Sequence, residues 1–310
     1  MNLDLKAMSS QDNPFPKFAL CLKLDNTMFS DDQYQLLDFG DGRKLERLGA
    51  HVVDRPCRAA EGVRRRQPRQ WGEAAARFEI DRSNQGHWVC PQPLSPEWML
   101  HHGSLTFQLT LTPFGHVGIF VEQARNWDWV IRCVRRAKQP LNVLNLFAYT
   151  GGTTLAAASA GAQVCHVDAS KSAVAQAKEN ARHSGLGDAP IRWIVDDVSA
   201  FVRREVRRKN QYDAIILDPP SYGHGPKNEV WKLTDHLPKL LQGCRQLLSS
   251  HRAFVLLTCH TPGYGPAELQ ATVTDTFFGS CQVPVVARHL SISCIDGRRL
   301  LSGAATWWPS

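Results

Sequence analysis

The sequence predicts an α/β fold in which helices cover both faces of an open parallel sheet, preceded by a smaller β-rich amino-terminal region. From residue 141 onward, short apolar runs alternate with helical segments, which is the pattern of βαβ units with right-handed crossovers. Each run is almost continuously apolar, as expected of strands buried on both faces. Before residue 122, apolar and polar residues alternate between turn residues, which favours short strands joined by tight turns.

These patterns divide the chain into three segments. We expect residues 1–18 to form a flexible arm, residues 19–125 a β-rich accessory region for substrate recognition, and residues 126–310 the main domain. In the accessory region, YQLLDFGDGRKLERLG carries a hairpin signal. The Arg-, Ala- and Gln-rich stretch 56–75 predicts a long loop or a poorly packed helix.

The elements of the main domain follow in a regular order. Strands are predicted at NVLNLF, AQVCHVD, IRWIV, YDAIILDPP and AFVLLTC. Helices are predicted at TTLAAASA, SKSAVAQAKENARHSG, DVSAFVRREVRRK, KLTDHLPKLLQGCRQLLSS and near AELQATVTDTFF. Ser170 is the expected cap of the second helix and Gly185 its stop. PVVARHLSI and RRLLSGAATWW predict a closing pair of strands.

Composition excludes several classes of protein. Of the 310 residues, 43% are hydrophobic and 21% charged, which excludes a disordered chain. No stretch approaches the roughly 18 apolar residues of a membrane helix, and the first residues lack the apolar core of a signal peptide. The nine cysteines form no CxxC pair, so neither a disulfide framework nor a zinc site is expected. We therefore expect a soluble protein of the reducing cytoplasm without a bound metal.

The net charge of +7 is unevenly distributed. Residues 1–130 hold 15 Lys and Arg against 16 Asp and Glu, whereas residues 131–310 hold 21 against 13. The second half is therefore where an acidic partner is expected to bind. One basic run comprises Arg203, Arg204, Arg207, Arg208 and Lys209, and another Arg64, Arg65, Arg66 and Arg69. Either run could be a solvated surface or a phosphate-binding patch.

Glycines and acids follow four successive predicted strands, at the sheet edge where ligands bind in such folds. Gly151 and Gly152 open a helix whose amide groups could receive a carboxylate. Asp168 lies about 20 residues beyond this turn, which is the spacing expected of an acid that accepts hydrogen bonds from ribose hydroxyls. Asp196-Asp197 and Asp218-Pro219-Pro220 end the next two strands. Each acid alone could be a helix cap, but the set, without a GxGxxG loop, matches an S-adenosylmethionine pocket better than a nicotinamide pocket.

The motifs LNLFAYTGG, VDASKSAVAQAKEN, DDV and DPPSYG resemble those of class I methyltransferases, which have a Rossmann-like sheet. More narrowly, the chain resembles the group of the bacterial 23S ribosomal RNA 5-methylcytosine methyltransferase and its short relatives, which share the segment TPFGHVGIFVEQARNWDW. The resemblance covers residues 34–50 and 105–305. The resemblance makes residues 126–310 the methyltransferase domain. It implies cofactor contacts from Gln123, Asn145, Phe147, Tyr149, Thr150, Gly151, Asp168, Asp197, Asp218 and Pro219. Gln123 could equally be a polar residue at a strand edge. The RNA-binding PUA domain of that enzyme is not recognisable here.

Two acceptor chemistries remain open. Methylation at carbon 5 of a pyrimidine needs a thiolate that adds to carbon 6, and Cys259 at the end of the fifth strand could serve beside Asp218, although Cys259 could equally be a buried core residue. Alternatively, Asp218 to Tyr222 could support methylation of a nitrogen, with Tyr222 stacking on the base. Acceptor contacts are predicted for Pro220, Ser221, Tyr222, His224 and Lys227, although His224 and Lys227 could instead belong to a solvated loop. Trp231 is interpreted as a helix anchor.

The leading hypothesis is therefore a methyltransferase that modifies a base in RNA, and in ribosomal RNA in particular. The alternatives are methylation of a protein or a small molecule, a nicotinamide dehydrogenase, and a noncatalytic RNA-binding module. The missing glycine fingerprint disfavours the dehydrogenase, and the acids at every cofactor position disfavour the noncatalytic module.

Overall fold

The computed structural model describes residues 29–83, 85–225, 229–279 and 285–309. The predicted arm at residues 1–18 lies outside the described residues. Among the described residues, no helix has both the length and the apolar character that crossing a membrane requires.

The accessory region contains a five-stranded sheet and a separate hairpin. The sheet has the order β1 (Tyr34–Gly40), β2 (Arg43–Leu48), β3 (His51–Pro56), β4 (Ala76–Ile80) and β5 (Gly86–Val89), and the hairpin consists of β6 (Met99–His102) and β7 (Leu105–Gln108). Asp41 and Gly42, with φ of +52° and +70°, form the predicted β1–β2 turn, because a tight hairpin needs left-handed residues there. The stretch predicted as a loop holds two short 3-10 turns, Arg58–Ala60 and Pro68–Glu73.

The main domain is built on a seven-stranded sheet with the order β10-β9-β8-β11-β14-β16-β15. Its strands are β8 (Asn142–Leu146), β9 (Gln163–Asp168), β10 (Ile191–Val195), β11 (Ala214–Leu217), β14 (Phe254–Cys259), β15 (Val286–Ser293) and β16 (Arg299–Trp308), and a small hairpin consists of β12 (Tyr222–His224) and β13 (Val230–Lys232). Strands β8 to β11 and β14 are parallel, and β16 and β15 add the predicted closing antiparallel pair.

Six helices of the described chain connect these strands. They are α1 (Ala124–Arg136), α2 (Gly152–Ser159), α3 (Lys171–His183), α4 (Val198–Arg208), α5 (Leu233–Leu247) and α6 (Pro266–Val273). The Ser170 side chain accepts from the Ala173 N–H and so caps α3 as predicted. The predicted fold class is confirmed, whereas the boundary at residue 125 stays a prediction.

Alternation along each strand places the core on both faces of the sheet. In β14, Val255 and Leu257 pack with α4, α5 and α6, whereas Phe254 and Leu256 pack with α1 and α2. The same alternation decides which side chains at the end of β14 reach the ligand side.

The accessory region contacts the main domain at two places. Leu36 in β1 bridges to Cys294 beyond β15, and the buried Asp38 carboxylate pairs with Arg298. On the other side, the Gln108 N–H of β7 donates to Asn180 Oδ1 of α3 at 3.0 Å. These contacts bring the segment before α1 over the carboxyl edge of the parallel strands.

Candidate active site

The turn between β8 and α2 has a strained backbone. Phe147 and Tyr149 have φ of +56° and +48°, in the left-handed region that bulky residues rarely adopt. Strain of this kind costs about 1–3 kcal/mol per residue and occurs mainly at ligand sites. The Tyr149 N–H donates to Asp168 Oδ2 at 2.8 Å, so the turn is fixed to the end of β9.

Asp168 is the acid at the end of β9. Its Oδ1 accepts from the Ser170 N–H at 2.8 Å. Burial raises the pKa of this carboxyl group, and the backbone hydrogen bonds from Ser170 and Tyr149 oppose the rise. Because each carboxylate oxygen keeps a second lone pair, Asp168 has the capacity to accept two hydroxyl groups of a diol.

A cavity of about 510 Å³ opens at the carboxyl edge of the sheet, within the usual size range of small-molecule sites. It is lined by eight of the predicted site residues, namely Phe147, Tyr149, Asp168, Asp197, Asp218, Pro219, Pro220 and Ser221. Sequence reasoning missed His116, Phe120, Ser170 and His260, which also line it.

Asp197 and its neighbour Asp196 have different surroundings. Asp197 lines the cavity and caps α4, since its Oδ1 accepts from the Ala200 N–H at 2.7 Å. Asp196 forms an ion pair with Arg204 and is not part of the lining. Of these two neighbouring acids, Asp197 therefore supplies its carboxylate to the cavity and Asp196 does not.

Three other predicted cofactor residues, Gln123, Asn145 and Thr150, line a smaller cavity of about 40 Å³ beside the same turn. The Asn145 side chain is buried and donates to Thr154 Oγ1 at 2.9 Å. The Thr150 hydroxyl donates to the Gly118 carbonyl at 2.7 Å. Gly151 lines neither cavity and begins α2 with a φ of +92°. Asn145 and Thr150 therefore stabilise the walls of the turn.

The Asp218 carboxylate is held by side chains from two segments, the end of β14 and the turn before α1. Thr258 donates its hydroxyl to Oδ1, and the Gln123 amide donates to Oδ2 at 3.0 Å. Gln123 is itself oriented, because its Oε1 accepts from Asn126 Nδ2 at 2.5 Å and Asn126 Oδ1 accepts from Trp307 Nε1 at 3.0 Å. This chain of hydrogen bonds fixes the carboxylate in the cavity wall.

His260 faces the same carboxylate. Its Nε2 lies 3.5 Å from Asp218 Oδ1, and its Nδ1 donates to the Ser302 carbonyl at 2.5 Å. Gly303 leaves room for the ring, since a Cβ there would lie 2.7 Å from Nδ1. Burial by itself would lower the pKa of His260, but Asp218, Glu122 and the Ser302 carbonyl outweigh it and raise the pKa to about 9. At neutral pH an imidazolium therefore pairs with Asp218.

The loop after Asp218 forms the other wall. The Trp231 indole donates to the Pro220 carbonyl at 2.7 Å and packs against Phe147, so this tryptophan lines the cavity as well as anchoring α5. Tyr222 is 54% exposed and does not line the cavity. The His224 side chain and Lys227 lie outside the described residues.

Comparisons with known proteins identify the family. The sequence model of the family described as S-adenosylmethionine-dependent methyltransferase matches residues 68–276. The chain belongs to this family. A solved S-adenosylmethionine-dependent methyltransferase from Agrobacterium tumefaciens is 40% identical, with a TM-score of 0.82 and coverage of 89% of this chain and 90% of that one.

Two more distant matches differ in what they cover. The ribosomal RNA large subunit methyltransferase K/L of Shewanella frigidimarina is 32% identical over 145 residues, which are 46% of this chain and 20% of that enzyme. The chain thus spans about a fifth of the length of that curated relative. The SMU.776 structure with SAH shares 19% identity, has a TM-score of 0.68 and covers 89% of this chain and 75% of its own, so it shows the fold alone.

The cavity fits the family's cofactor, S-adenosylmethionine, which supplies an electrophilic methyl group on a sulfonium. Asp168 has free lone pairs for the ribose diol, and Asp197 lies on the next strand end in the same lining. Phe147 and Tyr149 line both cavities. The assignment of each residue to a particular part of the cofactor stays a prediction.

Cys259 lies away from the cavity of this methyltransferase. Its side chain is 0% exposed and packs in the α4–α6 core, on the face opposite Thr258. Burial raises the pKa of the thiol, although Thr261 hydrogen bonds oppose the rise. A nucleophile must reach carbon 6 of a base as a thiolate, so the position and the pKa both favour the core interpretation. The sequence shows a cysteine at a strand end but not the face on which it lies.

Proposed function

We propose that this methyltransferase modifies a base in RNA, at a nitrogen atom held by the Asp218-Pro219 segment. The observation that carries the proposal is the Asp218 carboxylate, fixed in the cavity wall by Thr258, Gln123 and His260. No cysteine is among the described residues that line the cavity. A carboxylate without a reachable thiol suits an acceptor nitrogen better than pyrimidine carbon 5.

The chemistry requires an acceptor with a lone pair. The Asp218 carboxylate accepts a hydrogen bond from the N–H of the acceptor and orients its lone pair toward the methyl group. As the nitrogen–carbon bond forms and the carbon–sulfur bond breaks, Asp218 takes the proton that the nitrogen loses. The Pro220 carbonyl already accepts from Trp231, so Pro219 is the residue to which we assign a second acceptor role.

RNA as the substrate is supported by charge and by relatives named ribosomal RNA methyltransferases. The four arginines of the basic run in α4 have two kinds of surroundings. Arg204 pairs with Asp196 and Arg208 with Glu205, whereas Arg203 and Arg207 line a groove of about 640 Å³ with Lys239 and have no ion pair among the described residues. In the earlier run, Arg65 pairs with Asp41. An enzyme that modifies ribosomal RNA would act in the cytoplasm, where we therefore expect this protein.

A single experiment tests the acceptor and the chemistry. RNA nucleosides from a strain lacking the gene are compared by mass spectrometry with those from strains that carry the wild type, Cys259→Ala or Asp218→Ala. We expect a methylated base to return with the wild type and with Cys259→Ala, and not with Asp218→Ala. A Cys259→Ala protein that binds S-adenosylmethionine but fails to restore the base would establish carbon 5 methylation. No change in any RNA base would refute the RNA substrate.

The groove along α4 gives a second prediction. Replacing Arg203 and Arg207 by Gln should lower the slope of log affinity for RNA against log salt by about 1.4, because each single-strand phosphate contact contributes about 0.7. The matched control is Arg204→Gln with Arg208→Gln, which removes the same charge from internal ion pairs and should leave the slope unchanged. Equal slopes for both double variants would show that the groove does not contact phosphates.

A further inference from the structure

A pocket of about 340 Å³ includes in its lining Glu122 and Leu301, the sequence neighbours of the residues that contact Asp218 and His260. Three arginines line it, Arg125 at the start of α1, Arg288 in β15 and Arg299 in β16, and we call it the arginine pocket. The remaining lining residues are Glu122, His289, Leu290, Ser291, Leu301 and Trp307. The lining therefore carries three arginine charges against one carboxylate.

The arginines of this pocket have no ionic partner in the described part of the chain, and they differ in exposure. Arg288 and Arg299 are exposed, whereas Arg125 is half-buried. None of the three forms an ion pair or a side-chain hydrogen bond with a described residue, and Arg125 Nε is buried without a hydrogen-bond partner. Burial and the nearby charge of Arg299 both lower the pKa of Arg125, and the two arginines line the same pocket. A buried donor without a hydrogen-bond partner, such as Arg125 Nε, is unfavourable. Such an arrangement is expected where a bound anion supplies the missing partner.

The position of the pocket relates it to the acceptor site. Glu122 precedes Gln123, whose amide holds Asp218, and Leu301 precedes Ser302, whose carbonyl holds His260. An anion in the pocket would thus contact two segments that also hold the Asp218 carboxylate and the His260 ring. Arginine forks match the geometry of phosphate oxygens.

We infer that the arginine pocket binds a phosphate group. If the proposed function is right, this phosphate belongs to the backbone of the RNA acceptor; the other source with the same chemistry is free phosphate. The pocket would then fix the register of the acceptor strand relative to the base in the cavity, since phosphate contacts position a nucleic acid without reading its sequence.

The first arm of the test needs no RNA. The thermal unfolding temperature of the full chain is measured in inorganic phosphate and in chloride of equal ionic strength, because a ligand that binds the folded state raises that temperature. We expect phosphate to stabilise the wild type, and Arg125→Gln and Arg299→Gln to lose this response. Arg135→Gln, which removes a charge from the far end of α1, is the matched control and should keep it. Without phosphate, Arg299→Gln should be no less stable than the wild type, since it relieves repulsion.

The second arm measures methyl transfer to RNA. If the phosphate belongs to the acceptor, Arg125→Gln and Arg299→Gln should raise KM for RNA at least about tenfold with little change in kcat. A lost phosphate response with an unchanged KM would assign the pocket to free phosphate. If no RNA is methylated, the proposed function fails while the first arm still decides the pocket. The inference is overturned if neither the phosphate response nor the KM distinguishes these variants from Arg135→Gln.

Discussion

Replacement of Asp218 by alanine is expected to lower kcat for methyl transfer by about 10²–10⁴-fold, the usual contribution of a positioned acid or base. The variant loses the group that orients the acceptor and takes its proton. Affinity for S-adenosylmethionine should change much less, because the ribose acceptor Asp168 lies on a different strand end. Single-turnover transfer to RNA and calorimetry with S-adenosylmethionine measure the two effects separately.

Two variants sharpen this experiment. Asp218→Asn keeps a hydrogen-bond acceptor of the same size but cannot take a proton, so it should bind RNA normally and transfer slowly. Asp235→Ala removes an exposed acid from α5 and serves as the control for net charge. If Asp218→Ala transferred methyl groups at the wild-type rate, the role of Asp218 in either chemistry would have to be abandoned.

The acids of the cofactor cavity could be found from sequence because parallel strands bring their carboxyl ends to one edge. Asp168, Asp197 and Asp218 each follow an apolar run, and all three line the same cavity. No register between strands had to be known, only their common direction. The same reasoning located the strained turn, although it did not show that Phe147 and Tyr149 adopt left-handed backbone angles.

The end of β14 shows where sequence reasoning stops. Cys259 and His260 are adjacent, and alternation along a strand sends them to opposite faces. A shift of one residue would exchange their places, and the sequence does not contain the packing that decides it. The structure buries Cys259 and places His260 against Asp218.

Long-range contacts fix side-chain orientations that the sequence does not show. The hydrogen bond between Asn126 and Trp307 joins residues 181 positions apart, so the orientation of Gln123 could not be read from its neighbours. The run from Arg203 to Arg208 looks uniform in sequence, although its ionic partners lie nearby in the chain. The helix and its capping turn pair Arg204 with Asp196 and Arg208 with Glu205, whereas Arg203 and Arg207 form no ion pair with a described residue.

Replacement of Asp168 by alanine is expected to weaken S-adenosylmethionine binding by about 1.5–3 kcal/mol, the worth of hydrogen bonds to a charged group, or roughly 10- to 150-fold in Kd. The ribose diol would lose a charged acceptor, and the Tyr149 N–H would lose the bond that holds the strained turn. Asp168→Asn separates these losses, since its carbonyl oxygen still accepts from Tyr149 but its charge is gone. Calorimetry with S-adenosylmethionine or SAH measures each affinity.

The matched control for Asp168 is Asp196→Ala, which removes an acid from the next strand end but outside the cavity lining. It should bind the cofactor with nearly wild-type affinity. Burial raises the pKa of Asp168, so this carboxylate takes up a proton at a higher pH than an ordinary aspartate does. Binding of S-adenosylmethionine to the wild type should therefore begin to weaken at that higher pH on acidification. Asp168→Asn should lose that part of the pH dependence. If Asp168→Ala and Asp196→Ala bound the cofactor equally well, the ribose assignment would be wrong, and Asp197 would be the acid to test next.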